Sequence, residues 1–211
     1  MASAADACSG EISLSWRRRM LEDLIRKNRS CRRFIQSRSM DMNTLNELVN
    51  LGRLSASGAN LQPLKYVLSC NPEKNAEIFS CLVWAAYLKD WPGPLEGERP
   101  SAYIVVLGDT AIAQDFGCDH GIASQSILLG AREKGLAGCM MGAVNREKLR
   151  DVLNLSGQHK ILLVLALGVP REEIVVEPLG ADGSIRYWRD SRGVHHVPKR
   201  SLKDIVIEAY G

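Results

Sequence analysis

Arg29, Ser30, Cys31, Arg32, Arg33 and Phe34 form the densest patch of ligand-capable chemistry in the chain. Three guanidiniums and a hydroxyl in so short a run suit bidentate recognition of phosphate, which a planar guanidinium fork matches and a hydroxyl completes as a neutral donor. The expected ligand is the phosphate tail of a cofactor; the plain alternative is a solvated basic turn. Cys31 sits between guanidiniums that would favour its thiolate, although a small packing residue is the simpler reading. A second stretch, Ser55-Ala56-Ser57-Gly58-Ala59-Asn60 followed by Leu61-Gln62-Pro63, offers small side chains that let backbone approach a flat ligand, with Gly58 free in its dihedrals. It reads equally well as a helix-to-strand loop. Near the end, Pro198-Lys199-Arg200 supplies a late pair of cations to match the early motif.

Other chemistries fit less well. Cys118-Asp119-His120 and His195-His196 place metal-ligand types side by side, but no spaced partner pair completes a tetrahedral set. No Gly-x-Gly-x-x-Gly follows a strand, so no Rossmann dinucleotide site is expected. The six cysteines (Cys8, Cys31, Cys70, Cys81, Cys118, Cys139) are scattered, and are read as reduced thiols of a cytosolic protein.

These residues need elements to position them. Arg17 to Lys27 puts Met20, Leu21, Leu24 and Ile25 on one helical face. The Arg/Ser motif thus follows a helix C-terminus, where the macrodipole repels anions and side chains must do the holding. Asp41 or Asn43 caps a second helix burying Leu45, Leu48, Val49 and Gly52. A strand over Tyr66–Cys70 leads to Asn71-Pro72-Glu73, a helix start with cap, proline and acid, and the helix is expected to run to about Leu88. Lys89 to Pro100 is a proline-rich loop of a length often found in lids, with Trp91 as an exposed lid residue or as core packing. Ala102–Leu107 is a buried strand. A helix from Phe116 to Lys134 carries Ile122, Ser126 and Leu129 on one stripe, with Gly121 and Gly130 open to a close neighbour. Leu136–Val144, holding Gly138-Cys139-Met140-Met141-Gly142, is a strand whose backbone meets a ligand. Asn145 caps a short helix, Ile161–Leu167 is the strongest strand, and Ser201-x-x-Asp204 opens a last helix. From Arg171 the chain is extended, aromatic and basic, and wraps a partner or closes over its own domain.

The 211 residues are 45% hydrophobic and 24% charged, enough for one soluble domain with a sizeable core. Residues 17–33 hold eight basic side chains against two acidic ones, a local net of +6 in a chain of +3. So local a cluster points to a small anionic ligand more than to nucleic acid. No apolar run is long enough to span a bilayer, and Met1–Gly10 lacks the pattern of a secretory signal, so a cytoplasmic protein is expected, with no membrane partner.

Together these landmarks resemble the FMN-dependent nitroreductase family. The likeness runs over about Leu24–Ile207, through Arg29–Phe34, Ser57–Pro63, the Gly117–Gly142 region, Ala166-Leu167-Gly168-Val169-Pro170 and Pro198-Lys199-Arg200. The Trp-Pro-Gly-Pro loop and the Tyr-Trp-Arg-Asp…His-His-Val-Pro-Lys-Arg tail resemble a poorly characterised branch of it. The resemblance implies an α+β three-layer sandwich, with a central mixed, mainly antiparallel sheet flanked by helices, in an intertwined homodimer. It implies a tail over residues 1–15, one FMN-binding domain over 16–211, and a C-terminal arm over 171–211 that reaches across to the partner. It places the FMN phosphate and ribityl chain on Arg29, Ser30, Arg32 or Arg33, Lys199 and Arg200. It places Ser57, Gly58, Asn60 and Gln62 of the other subunit near the ring, and Gly138, Met140 and Gly142 at the flavin edge. Arg32 or Arg33 would stabilise reduced flavin, and no catalytic nucleophile or metal is expected. Family members often carry a second basic residue in place of Asn28 and a proline in place of Ala56, so one phosphate contact is missing or moved. The implied activity is hydride transfer from NAD(P)H through FMN to a nitroaromatic, quinone or similar acceptor, by a ping-pong mechanism. A flavin-binding protein without reductase turnover, and an anion- or RNA-binding domain using residues 17–33, are the alternatives.

Overall fold

The structure is a computed structural model that describes residues 14–85, 87–88 and 91–211, with the side chains of 14–19 left aside. Most of the expected N-terminal tail, with Cys8, lies outside these residues, as do Lys89 and Asp90 of the proline-rich loop. Helix α1 (Leu14–Lys27) begins two residues inside that expected tail.

Four antiparallel strands form the central sheet: β1 (Leu64–Ser69), β2 (Ala102–Asp109), β3 (Ala137–Met141) and β4 (His159–Gly168), in the order β1-β2-β4-β3. Every residue of β2 is buried, as its unbroken apolar run requires when both faces are covered. On one face, alternate residues Tyr103, Val105 and Leu107 of β2 join Ile78 of α3 (Pro72–Phe79) and Leu149 of α5 (Arg146–Val152). On the other, Ala102, Ile104 and Val106 meet Leu45 and Leu48 of α2 (Met42–Leu54) and Ile127 and Leu128 of α4 (Asp119–Glu133). The period-2 alternation of strand side chains thus makes three layers, the α+β sandwich that was expected.

Close packing of α2 on α4 depends on glycine. A Cβ on Gly130 would come within 2.1 Å of Leu51 Cδ1, and one on Gly52 within 3.0 Å of Ile127 Cδ1. Ala123, Ser124 and Ile127 face the sheet, so the stripe Ile122, Ser126 and Leu129 lies towards the outside instead, and nothing approaches Gly121.

Helix α3 stops at Phe79, well short of Leu88. Leu82 is drawn into a bridge with Val144, and Val83 N–H and Asn145 N–H donate to Ala143 and Cys81 carbonyls. These pairings, with a positive φ at Ala85, are incompatible with continued helix.

Strands β5 (Ile174–Pro178), β6 (Trp188–Arg189) and β7 (His195–Lys199) form a second sheet, in which β5 and β7 pair parallel. This sheet closes over its own chain: Arg189 reaches Glu172 and Trp91, and Tyr187 meets Arg32 and Tyr87. The segment from Lys199 onward, with α6 (Leu202–Ile205) in its capping box, is exposed throughout.

Candidate functional site

Asn28, Arg29 and Ser30 leave the C-terminus of α1 and run beside β3, where Ser30 forms a parallel bridge with Gly138 and Cys31 N–H donates to the Gly138 carbonyl at 3.0 Å. A cavity of ≈290 Å³ opens there, lined by this segment, by Gln125 and Leu128 of α4, by Gly138 and Met140 of β3, and by Tyr187, His195, Val197 and Lys199 of the second sheet. Arg29, Arg32 and Lys199 bring three cations to one concavity, from segments 170 residues apart in sequence. The dipole of α1 points its negative end here, so an anion in this cavity depends on those side chains.

The cations are held in different ways. Arg29 Nε and Nη2 donate to the Asn28 carbonyl at 2.6 Å and the Ile25 carbonyl at 2.9 Å, capping α1. Burial pulls the Arg29 guanidinium down from its ordinary value, a cost that an incoming anion offsets. The Arg32 guanidinium lies 5.1 Å from the Tyr187 ring centroid, and its Nη1 donates to the Ser30 carbonyl at 3.2 Å. Beneath it, the carboxylate of Glu172, 1% exposed, accepts from the backbone N–H of both Arg32 and Arg33 and from Arg189 Nη2 at 2.8 Å. Glu172 thereby fixes the backbone from which Arg32 projects.

His195 completes the wall. It is 1% exposed, neither ring nitrogen has a partner among the described residues, and its ring lies 5.2 Å from that of Tyr187. Burial lowers its pKa to about 4, helped by Arg32, Arg189 and His196 and opposed by Glu172, so at neutral pH the imidazole is uncharged. One nitrogen of the neutral ring donates and the other accepts, and both are closed to solvent within the single chain.

Several expected members are elsewhere. Arg33 donates through Nε to Glu98 at 2.7 Å and pairs a second time through Nη2; it clamps the 95–101 loop and does not line the cavity. In an extended segment, neighbours point to opposite sides, and Arg32 takes the cavity side. Gly142 and Arg200 are exposed and also do not line it. Gly138 is required by packing as much as by any ligand, because a Cβ there would meet Leu128 Cδ2 at 2.5 Å and the Ala166 carbonyl at 2.8 Å. Cys31 is 1% exposed, and burial, aided by Glu172, pushes its thiol up to about 12, which removes the thiolate reading. Trp91 is half-buried against the α3-side core, edge-on to Trp84 and under the Arg189 guanidinium at 4.4 Å, so it takes the packing role and not that of an exposed lid.

The small-residue loop forms a separate place. Ser57 and Gln62 line a second cavity of ≈150 Å³ with Gly52, Arg53 and Tyr66. Asp119 anchors it: Oδ2 accepts from the Ser57 hydroxyl at 2.6 Å and Oδ1 from the Gly58 N–H at 2.9 Å. Ala59, Asn60 and Gln62 all hold positive φ (48°, 55° and 52°), a strained run kept by that anchor. Within one chain the loop does not join the Arg32 cavity. Among the described residues, no three His, Cys, Asp or Glu side chains gather in a metal-holding group. Asp119 is turned to the loop, and His196 is occupied by Glu177.

The sequence profile of the nitroreductase family matches residues 25–89 and 97–169. The chain belongs to the nitroreductase family. Solved structures agree with that fold. One from Bacteroides thetaiotaomicron, named an NADH dehydrogenase/NAD(P)H nitroreductase, is 22% identical with a TM-score of 0.60, covering 72% of this chain and 87% of its own. An FMN-dependent nitroreductase from Clostridium difficile is 19% identical with a TM-score of 0.60, covering 71% and 87%. A nitroreductase-like protein from Streptococcus mutans is 14% identical with a TM-score of 0.62, covering 73% and 90%. No curated protein matches the chain significantly. Membership of this family supports, as a broad class, a flavin-using oxidoreductase. Within the described residues no helix is long and apolar enough to cross a membrane.

Proposed function

We propose that this nitroreductase-family chain is an FMN-dependent oxidoreductase, with NAD(P)H as donor and a nitroaromatic, quinone or similar electron-poor molecule as acceptor. The observation that carries the reading is the convergence of Arg29, Arg32 and Lys199 with the unpartnered His195 on one cavity. Three cations fit a phosphate monoester, and Ser30 adds a hydroxyl. FMN, held by Arg29, Arg32 and Lys199, would supply the redox chemistry between the NAD(P)H donor and the acceptor. The chain's own part is to hold the phosphate with Arg29, Arg32 and Lys199, to keep Arg32 aligned through Glu172, and to place positive charge beside the cofactor.

The small-residue loop enters this reading through a second copy. In a homodimer, Ser57, Gly58, Asn60 and Gln62 of one subunit would lie over the ring held by the other. Two surfaces support that assembly. An apolar groove of ≈430 Å³ runs along Leu21, Leu24, Leu51, Leu54 and Leu129. The C-terminal segment exposes Leu202, Ile205, Ile207 and Tyr210, the last two at 100% and 88%, apolar side chains that a second copy would cover.

The test is anaerobic titration of the purified, FMN-loaded protein with NADH and with NADPH. Bleaching of the flavin band by either donor, and its return on adding a quinone or nitroaromatic, is the expected result. Flavin that stays oxidised under excess of both donors would refute the reductase activity, and a chain that takes up no FMN would refute the cofactor as well.

A further inference from the structure

Tyr187, His195, Val197 and Lys199, carried by the second sheet, wall the Arg32 cavity, so whatever holds that sheet in place also keeps the cavity covered. Its edge strand β6 is short, meeting β7 through Trp188 opposite His196 and Arg189 opposite His195. A pairing of that length is marginal by its backbone alone. Yet β6 anchors much of the cover: Arg189 pairs with Glu172 at 2.8 Å and lies 4.4 Å from the Trp91 ring, and Tyr187, one residue before β6, meets Arg32.

The outer face of the same sheet carries a tie. Side chains alternate along a strand; His195, Val197 and Lys199 take the cavity side and His196 the outer one, where residues from all three strands gather on its ring. Its Nδ1 pairs with Glu177 Oε1 of β5 at 2.5 Å, and its Nε2 lies 3.6 Å from Oδ2 of Asp190, the residue that follows β6. Trp188 of β6 stacks on the ring, 4.9 Å between centroids and within 5° of parallel. Asp190 is itself fixed: Oδ1 accepts from the N–H groups of Arg192 and Val194 at 2.9 Å, and Arg192 Nε lies 3.5 Å from Oδ2.

This arrangement depends on charge. A carboxylate accepts hydrogen bonds and donates none, and an imidazole carries a hydrogen on both nitrogens only when protonated. A neutral His196 turns a lone pair towards Glu177 or Asp190, and because Nε2 is closed to solvent no water can relieve it while the sheet is in place. The protonated ring meets both carboxylates and the Trp188 face together. Its partners, Glu177 first, raise its pKa above the ordinary 6.5, so the tie is complete below that pH and is lost as pH rises through the folded value. The other charges nearby do not titrate with it. Burial opposes the Asp190 carboxylate, but the Val194 and Arg192 N–H groups and His196 outweigh it and keep the group ionised. On the cavity face, beside Arg32, Arg189 and Glu172, burial lowers His195 to about 4 and keeps it neutral. We propose that protonated His196 is a latch that ties β5, β6 and β7 together and holds the second sheet closed over the Arg32 cavity, and that loss of its proton frees β6 and opens the cover. Cofactor retention is then stronger in slightly acidic solution than in basic solution; that consequence rests on the FMN reading, whereas the latch does not.

The test is amide hydrogen exchange of the purified full chain, read by mass spectrometry at about pH 6 and about pH 8.5, on either side of an ordinary to moderately raised histidine. Each segment's rate is taken relative to the unfolded chain at the same pH. Protection over residues 187–198 should fall about three- to tenfold at the higher pH, the range between a solvated and a desolvated charged pair, with β2 and β4 unchanged. His196→Gln should show the low protection at both pH values. Glu177→Gln/Asp190→Asn, which keeps an acceptor oxygen for the 190–194 turn but removes both charges, should do the same. In the FMN-loaded parent the rate of flavin release, followed by fluorescence on dilution, should rise in step with the exchange, and in His196→Gln it should not change with pH. Any of these results overturns the proposal: equal protection of 187–198 at the two pH values; the same fall in both variants; a fall shared by β2 and β4; or flavin release from the loaded parent that ignores pH. A chain that takes up no FMN refutes the flavin reading instead, and the exchange data still decide the latch.

Discussion

Removing the Glu172 carboxylate should strike the fold and the cofactor site together. Its side chain is 1% exposed and accepts two backbone N–H bonds, from Arg32 and Arg33, besides pairing with Arg189, whose own side chain is 16% exposed. Glu172→Ala leaves the guanidinium and both N–H groups without their acceptor. Breaking a buried ion pair by deleting one partner typically costs about 3–5 kcal/mol, because the surviving charge stays buried. For a chain of this size each kcal/mol moves the melting temperature by about 2–4 °C, so a fall of about 6–20 °C is expected. Glu172→Gln keeps one carbonyl oxygen for the two N–H groups but turns an amide donor towards Arg189, and should cost about half as much. Urea unfolding of the FMN-loaded and FMN-free proteins measures both terms: FMN-free stability should drop in the order parent, Gln, Ala. FMN affinity should fall in the same order, because the Arg32 backbone loses its anchor. If both variants lie within about 1 kcal/mol of the parent, Glu172 does not anchor this region and the alignment of Arg32 needs another cause.

Three further outcomes are expected. Ala59→Gly should raise stability by about 1 kcal/mol in urea unfolding, because glycine adopts the positive φ that alanine holds under strain. His195 should make the protein lose stability as pH falls: the unfolded ring takes a proton near its ordinary 6.5, the buried ring only near 4, so between these values the unfolded state binds more protons and gains. His196, raised by its Glu177 and Asp190 partners, acts with the opposite sign, contributing stability at low pH that is lost as pH rises through its folded pKa. Comparing unfolding at pH 7 and pH 5, His195→Phe should therefore show a smaller loss than the parent, and an equal or larger loss would contradict the burial account. Truncation after Lys199 removes the exposed apolar segment and should shift the mass measured by light scattering from dimer towards monomer, with Arg29–Lys199 left in place.

What was legible in the sequence is what local chemistry decides. The caps Asp41, Asn71, Asn145 and Ser201 open helices where their side chains accept the first free N–H groups or complete a capping box, and such signals need no knowledge of distant residues. The alternation that buries both faces of β2 is likewise written in its own residues. What was not legible is decided across long separations. Whether Arg32 or Arg33 faces the cavity depends on Glu98, some sixty-five residues on, and on Glu172, further still. Helix α3 ends because residues 82–83 are claimed by 143–144. The places of His195 and Tyr187 in the cavity wall are not legible either, because the irregular tail has no periodicity that assigns its side chains to a face; the adjacent pair His195-His196 reads only as side-by-side metal-ligand types. The alternation along β7 buries the first ring in the cavity wall and turns the second to Glu177.

The central claim is that Arg32 and Lys199, brought together from opposite ends of the chain, hold the cofactor phosphate. Equilibrium titration of FMN and of riboflavin into apoprotein, followed by flavin fluorescence, tests it for the parent and for Arg32→Ala/Lys199→Ala. Each lost charge-assisted bond is worth about 1.5–3 kcal/mol, so the variant should bind FMN weaker by at least a hundredfold, with riboflavin affinity, which involves no phosphate, little changed. Equal loss for both flavins, or undiminished FMN affinity, would contradict the account.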